Sequence, residues 1–212
     1  PHARRCITLP IVRQRPMCIT TWARDRAVTG IMVVQDGIIR HESYPLIGVN
    51  EDDPANSTRI SWSMAKSFLS VLLGILHEDG TIPDLDAPVI QYVPSLVGSA
   101  YETASIRNVM QMSTGVTFDE EYLDFWSDIN KMGRVLALGR SMDSFAEALD
   151  ETFVEPGTQW KYVSIDTHIL SMVIRGATGR SIPDLLTQKV LTPLGPTVAP
   201  YYLTDGHGVA FV

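Results

Sequence analysis

The chain has 212 residues, a hydrophobic fraction of 45% and a formal net charge of −7. This length allows one large domain or two small ones, and the acidic balance argues against binding to nucleic acid or anionic membranes, which need basic surfaces. No uncharged apolar run reaches the roughly 18 residues of a membrane span. Cys6 and Cys18 are the only cysteines. They make no disulfide framework or metal-ligand spacing, and they favour a reduced, cytoplasmic location with no metal.

The first predicted elements are an N-terminal arm and a β-hairpin. Residues 1–27 include several arginines and are interpreted as a solvated arm. Apolar runs at 28–34 and 38–44, separated by an Asp-Gly pair at 36–37, predict two strands joined by a tight turn. The polar stretch 50–57 then predicts a loop.

A buried helix predicted from about residue 63 to residue 77 carries the most informative motif. Ser63 and Lys66 stand three residues apart, just before a dense apolar run. Positions i and i+3 share a helix face, so the amine can approach the hydroxyl. A serine hydroxyl needs such a base to act as a nucleophile. The plainer interpretation is a helix start with Ser61 or Ser63 as the N-cap and Lys66 extending to solvent.

Shorter helices and an aromatic loop are predicted next. A helix at 106–112 is followed by an acidic, aromatic loop at 117–128. Tyr122, Phe125 and Trp126 in this loop are candidates for lining a substrate pocket, although ordinary packing explains them equally well. Further helices are predicted at 129–138, 144–149, 165–176 and 182–191.

The second motif follows a Pro-Gly turn at 156–157. Trp160, Tyr162 and Ser164 alternate there as in an extended segment, which would point Tyr162 and Ser164 to the same side. A tyrosine beside a lysine ammonium can act as a base, because the cation stabilises the phenolate. Taken alone, Tyr162 is more simply a half-buried aromatic residue whose hydroxyl finds a partner.

Together, the two motifs resemble those of the penicillin-recognising serine hydrolases. This family includes class C β-lactamases, D-alanyl-D-alanine carboxypeptidases, family VIII esterases and 6-aminohexanoate-dimer hydrolases. Ser63 and Lys66 match its S-x-x-K motif, and Tyr162 and Ser164 match its Y-x-N or Y-x-S motif. The likeness covers about residues 28–208 and is nearest the 6-aminohexanoate-dimer hydrolase branch. Similar blocks occur in the same order at 79–89, 92–96, 106–116 and 193–195.

The resemblance implies an α+β fold of the β-lactamase/transpeptidase type. In that fold an N-terminal hairpin, here 28–47, pairs with C-terminal strands, and a mainly helical region, here 63–195, is inserted between them. The family's third motif, K-T-G or H-T-G, is missing before the chain ends at Val212. We therefore expect an incomplete β-lactamase-like domain at 28–212 after the arm at 1–27. Its exposed sheet edge is expected to favour self-association.

The resemblance also implies a reaction, which is acyl transfer through an ester on Ser63 without a cofactor. Small-molecule esters, amides or lactams would be the substrates. Lys66 and Tyr162 would remove the Ser63 proton, and Tyr162 would return it to the leaving group. Ser164 would hold Lys66 or a substrate amide, and Asp166 would anchor the loop or simply serve as a first-turn helix acid.

This mechanism predicts that Ser63 Oγ, Lys66 Nζ and Tyr162 OH lie within about 3–4 Å of one another. The oxyanion hole would have the Ser63 main-chain N–H as its only obvious donor, so the chain alone is expected to be a poor catalyst. The main alternative is a non-catalytic binding module or inactive fragment. An ordinary helical domain with coincidental motifs is disfavoured by the ordered blocks.

Overall fold

The computed structural model describes residues 19–44 and 56–211. Both cysteines and most of the predicted polar loop at 50–57 lie outside these residues. The chain divides into two compact units, Pro1–Ile60 and Ser61–Val212, and each is described by itself.

The first unit contains the predicted hairpin. Strand β1 (Ile31–Gln35) pairs antiparallel with strand β2 (Ile38–Ser43). Asp36 and Gly37 connect them with φ of 54° and 73°, the left-handed values at both positions that the commonest two-residue hairpin turn requires. The Asp-Gly prediction is therefore confirmed, and the described residues contain this one two-stranded sheet.

A short helix precedes the hairpin within the predicted arm. Helix α1 (Ile19–Asp25) was not predicted from the sequence. The Ala23 side chain is buried, and the Ala23 carbonyl oxygen accepts hydrogen bonds from the main-chain N–H groups of Arg26 and Val28. These bonds close the helix end. The arm's predicted bounds, 1–27, stay a prediction.

The second unit is built around two helices that pack against each other, α2 (Met64–Glu78) and α6 (Asp166–Thr178). The buried residues of α2 recur at the helical period and form one face, whereas α6 is buried on all sides over residues 166–174. Both helices were predicted with nearly these bounds. The buried face of α2 consists of Leu69, Leu72, Leu73 and Leu76.

Smaller helices surround this pair, and serine caps determine where several of them begin. Ser105, Ser141 and Ser181 each accept a hydrogen bond from a main-chain N–H of the following first turn, which satisfies a donor that the helix itself leaves free. In the part of the chain that the structure describes, no helix is long and apolar enough to cross a membrane. The smaller helices are α3 (Ile106–Met110), α4 (Asp128–Ala137), α5 (Met142–Glu147), α7 (Ile182–Leu186) and α8 (Thr192–Leu194), with a π-helical turn at Thr187–Leu191.

An ion-pair cluster fixes α6 against α5. The Asp143 carboxylate accepts a hydrogen bond from His168 Nε2 at 2.7 Å and two from Arg175 at 2.7 and 3.1 Å. Burial acts to raise the pKa of Asp143, but these donors hold it below its usual range. Because the cluster holds α6, it also helps to position the residues at the start of that helix.

Candidate active site

Ser63 immediately precedes α2 and follows a residue with an unusual backbone conformation. Trp62 has φ of 46°, which is uncommon for a bulky side chain and costs conformational energy. Ser63 has a helical backbone, and its Oγ makes no capping hydrogen bond. The N-cap interpretation of Ser63 is therefore not supported, and its hydroxyl has a different partner.

That partner is Tyr162. Ser63 Oγ and Tyr162 OH are 2.8 Å apart and share a hydrogen bond across 99 residues of sequence. The neighbouring Lys161 holds the Tyr162 segment in place, because its main-chain N–H donates to Met112 O at 2.9 Å and its Nζ donates to Phe118 O at 2.7 Å. The segment is irregular rather than a strand, and it turns at residue 164 into α6.

The amine of Lys66 lies beside this pair without bonding to the nucleophile. Lys66 Nζ donates to the main-chain carbonyl oxygen of Ser164 at 3.2 Å and lies 6.0 Å from the centre of the Tyr162 ring. Among the described residues, no hydrogen bond joins Lys66 Nζ to Ser63 Oγ. The structure thus brings Ser63, Lys66 and Tyr162 to one place, but the direct contact is between serine and tyrosine.

The charge of Lys66 is set by opposing influences. Burial lowers the pKa of the Lys66 ammonium below its ordinary value, and the nearby carboxylates of Glu120 and Asp166 raise it. A buried amine loses hydration in its charged form, whereas negative neighbours favour that form. The protonation of Lys66 therefore depends on both its burial and its two acidic neighbours.

Asp166 is fully buried at the first turn of α6. Its Oδ1 accepts a hydrogen bond from Tyr101 OH at 2.8 Å, and Thr114 Oγ1 donates to the same carboxyl group at 3.2 and 3.3 Å. Burial raises the pKa of Asp166 to about 7, although the two hydroxyl donors and Lys66 act in the opposite direction. A surface first-turn acid would not be enclosed in this way, so the loop-anchor interpretation is the better supported one.

The raised pKa of Asp166 predicts a pH dependence of stability. Between about 3.8 and about 7, the folded chain keeps a proton that the unfolded chain releases, so this group's contribution to the free energy of unfolding falls as pH rises. Asp166→Asn keeps an acceptor for Tyr101 but does not titrate. We expect the wild type to lose stability relative to this variant between pH 4.5 and 7.5 in urea titrations. A constant difference would contradict the prediction.

Ser164 contacts Lys66 through its main-chain carbonyl oxygen, and its hydroxyl has another partner. Its hydroxyl donates to Glu120 Oε2 at 3.0 Å and its main-chain N–H donates to Glu120 Oε1 at 2.5 Å, while its carbonyl oxygen accepts from Lys66. Tyr122 OH also donates to Glu120 Oε2, at 3.2 Å. Glu120 was not singled out from the sequence, and it joins two predicted substrate-binding residues, Ser164 and Tyr122.

Trp126 lies in the same loop but has other neighbours. It is 71% exposed, and its ring meets that of Phe125 edge-to-face with ring centres 5.0 Å apart. The guanidinium of Arg134 lies over both rings, at 4.2 Å from Phe125 and 5.8 Å from Trp126. Tyr122 is also exposed, at 64%. A substrate-binding role for Tyr122 and Trp126 stays a prediction.

A cavity of about 490 Å³ adjoins Glu120. Its walls do not include Ser63, Lys66 or Tyr162. The cavity is lined by Thr117, Phe118, Asp119, Glu120, Glu121 and Lys161.

Among the described residues, no group of three or more His, Cys, Asp or Glu side chains could hold a metal ion.

Comparisons with known proteins identify similar chains. The sequence model of a family described as Beta-lactamase matches residues 32–202. A 6-aminohexanoate-dimer hydrolase from Paenarthrobacter ureafaciens is 30% identical over 155 residues, covering 70% of this chain and 39% of that relative. A β-lactamase from Pseudomonas fluorescens is 23% identical over 174 residues, covering 81% of this chain and 45% of the relative.

A solved structure shows the same fold. It is described as that of a candidate 6-aminohexanoate-dimer hydrolase from Bacillus anthracis, and it superposes with a TM-score of 0.76 at 19% identity. The match covers 99% of this chain and 55% of that chain. The chain therefore spans less than half the length of the two curated relatives and about half of the solved structure.

Proposed function

Because the chain belongs to the beta-lactamase family, we propose that it is a serine hydrolase that cleaves ester or amide bonds through an acyl-enzyme on Ser63. The observation that carries this proposal is the 2.8 Å hydrogen bond between Ser63 Oγ and Tyr162 OH, with the Lys66 amine beside the same tyrosine. The names of the two curated relatives, a 6-aminohexanoate-dimer hydrolase and a β-lactamase, support amide and lactam bonds as candidate targets.

The first step is attack by Ser63. Tyr162, as a phenolate stabilised by the ammonium of Lys66, accepts the Ser63 proton while Oγ bonds to the substrate carbonyl carbon. The hydrogen bond already present between the two oxygens supports this transfer. Lys66 supports the reaction through its charge, because its own hydrogen bond goes to the Ser164 carbonyl oxygen.

The developing oxyanion needs hydrogen-bond donors. The main-chain N–H of Ser63 has no acceptor among the described residues, so it is free to donate to the oxyanion. One donor of this kind typically contributes about 2.7–4 kcal/mol to the transition state. A second donor from a third-motif strand, as the family resemblance implies, is part of the proposal for the whole enzyme.

Collapse of the tetrahedral intermediate returns the proton. Tyr162 OH donates to the leaving oxygen or nitrogen, the carbonyl-to-leaving-group bond breaks, and the acyl group remains on Ser63 Oγ. Water then attacks the ester while Tyr162 accepts the water proton, and Ser63 leaves with that proton as the carboxylic acid forms. Each proton accepted by Tyr162 is thus donated again, and no cofactor is consumed.

The proposal extends to partners and location. We propose small-molecule ester, amide or lactam substrates, with Tyr122 and Trp126 as exposed aromatic contacts. The net charge of −7 supports the absence of a nucleic-acid or anionic-membrane partner. The low cysteine content supports a cytoplasmic location.

Self-association through the hairpin is also proposed. Within the first unit, the hairpin exposes more than half of each of four apolar side chains on a sheet of only two strands. Unpaired strand edges and exposed apolar surface both favour pairing with another chain. The four side chains are Met32, Val34, Ile38 and Ile39.

A fluorophosphonate probe tests the proposed function against the binding-module alternative. Such probes react with an activated serine and require no turnover. We expect one adduct per chain, located by peptide mapping on Ser63. A folded chain that remains unlabelled would favour the non-catalytic binding module, and labelling at another serine would refute the assignment of Ser63.

A further inference from the structure

One carboxylate of the acidic loop before α4 reaches beyond its own loop. Asp119, Glu121 and Asp124 each accept a hydrogen bond from the main-chain N–H two residues later, at 2.9, 2.9 and 2.8 Å. Contacts of this kind stabilise local turns. Glu120 instead reaches Ser164, 44 residues farther along the chain, and so contacts the second motif.

Both carboxylate oxygens of Glu120 are used in this contact. Oε1 accepts from the main-chain N–H of Ser164, and Oε2 accepts from the hydroxyls of Ser164 and Tyr122. Hydrogen bonds to an ionised acceptor are roughly twice as strong as neutral ones. Ser164 is buried, so loss of this acceptor would leave polar groups without partners. Glu120 therefore fixes the position of Ser164.

Ser164 is in turn the residue that holds Lys66. The Ser164 carbonyl oxygen accepts from Lys66 Nζ at 3.2 Å. A lysine ammonium is a compact charge on a flexible four-carbon stem, so its position depends on the acceptor that it finds. We propose that Glu120 is a positioning residue of the candidate active site: it fixes Ser164, and through the Ser164 carbonyl oxygen it fixes the Lys66 amine beside Tyr162. This inference rests on the function proposed above.

Because Glu120 is charged, the inference can be tested through the pKa of Lys66 without measuring turnover. The groups that face Lys66 are the carboxylates of Glu120 and Asp166, the ring of Tyr162 and the carbonyl of Ser164. Burial lowers the pKa of Lys66, and the two carboxylates raise it. Glu120→Gln keeps the shape and one acceptor oxygen but removes the charge, so it is expected to lower the Lys66 pKa further.

The experiment is an NMR titration of the chain labelled with ¹³C at the lysine ε carbon. The chain has four lysines, and the Lys66 signal is the one missing from the spectrum of Lys66→Arg. We expect a lower Lys66 pKa in Glu120→Gln than in the wild type. Glu151→Gln, which removes an exposed glutamate, is the matched control and should leave the Lys66 pKa unchanged. An unchanged Lys66 pKa in Glu120→Gln would overturn the inference.

Turnover of a short-chain p-nitrophenyl ester separates this inference from the proposed function. Glu120→Ala should lose on the order of 100-fold in kcat/KM, as misplacement of a catalytic group by about 1 Å does. Glu120→Gln provides the test if the alanine variant fails to fold. In this variant the alkaline limb of the pH profile of kcat/KM should move to lower pH. Loss of activity with an unmoved limb would indicate a merely structural role and overturn the inference.

Different results would refute the proposed function and the role of Glu120. A folded wild-type chain in which Ser63 is not labelled by the fluorophosphonate probe would refute the proposed function, and the titration of Lys66 would still decide whether Glu120 controls that amine. Conversely, normal turnover with an unchanged Lys66 pKa in Glu120→Gln would leave the proposed function standing and overturn the role of Glu120.

Discussion

In an enzyme that also contains the third-motif strand, replacing Ser63 by alanine is expected to abolish hydrolysis of a short-chain p-nitrophenyl ester, with a loss of at least about 10⁴-fold in kcat. The reason is that Ser63 Oγ is the only protein atom of the proposed mechanism that bonds to the acyl group. The variant removes one oxygen from an exposed residue at the start of α2, so the fold should be retained and the circular dichroism spectrum unchanged.

The matched control is Ser67→Ala. Ser67 is exposed one turn later on the same helix, and its loss should leave kcat within about twofold, since surface substitutions usually have small effects. If Ser63→Ala retains most of the activity while remaining folded, another residue attacks the substrate and the assignment of Ser63 is wrong.

Tyr162→Phe is expected to lose nearly as much activity as Ser63→Ala. The variant keeps the ring and removes the hydroxyl that bonds to Ser63 Oγ. Proton transfer by a positioned side chain typically contributes about 10²–10⁴-fold to a rate, and members of one catalytic unit act non-additively. Lys66→Ala should be similarly impaired. The double variant of Ser63 and Tyr162 should therefore be no worse than Ser63→Ala alone.

Tyr201→Phe provides the comparison for Tyr162. Tyr201 is 70% exposed, and removing its hydroxyl should leave kcat/KM unchanged within error. Activity in Tyr162→Phe that matches this control would show that Ser63 is deprotonated by another group. Lys66 would then be the remaining candidate base.

The family and the fold class were predictable because they depend on ordered local patterns. The two motifs and the blocks between them predict the α+β fold and the family, and both predictions are confirmed by the family match over 32–202 and by the superposition on a solved structure. Local turn chemistry at Asp36-Gly37 was enough to locate the hairpin. Helix α1 was missed because seven residues without an acidic first turn give little periodic signal.

The contacts of the site were less predictable than its members. Spacing on α2 predicts that Lys66 approaches Ser63, but the structure directs the amine to the Ser164 carbonyl oxygen, 98 residues away. Such a contact depends on how the loop before α6 is folded, and residue types alone do not determine that. The family resemblance implies that Ser164 holds Lys66. It does so through its carbonyl oxygen, because the chain turns at this residue and the hydroxyl donates to Glu120.

Glu120 shows why some residues of the site could not be found from the sequence. It stands between Asp119 and Glu121, and the three acids have the same local pattern. Only the long-range contact with Ser164 distinguishes Glu120 from its neighbours. Asp166, by contrast, had a usable signal, because it lies among the apolar residues Val163, Ile165 and Ile169, which predict burial.

The most direct test of the account is to trap the acyl-enzyme. The chain is mixed with a short-chain p-nitrophenyl ester, quenched with acid within seconds and examined by intact-protein and peptide mass spectrometry. The account predicts a mass gain of one acyl group per chain, located on Ser63 and absent from Ser63→Ala. Release of p-nitrophenol by a chain that carries no acyl group on Ser63, or carries it on another residue, would contradict the account.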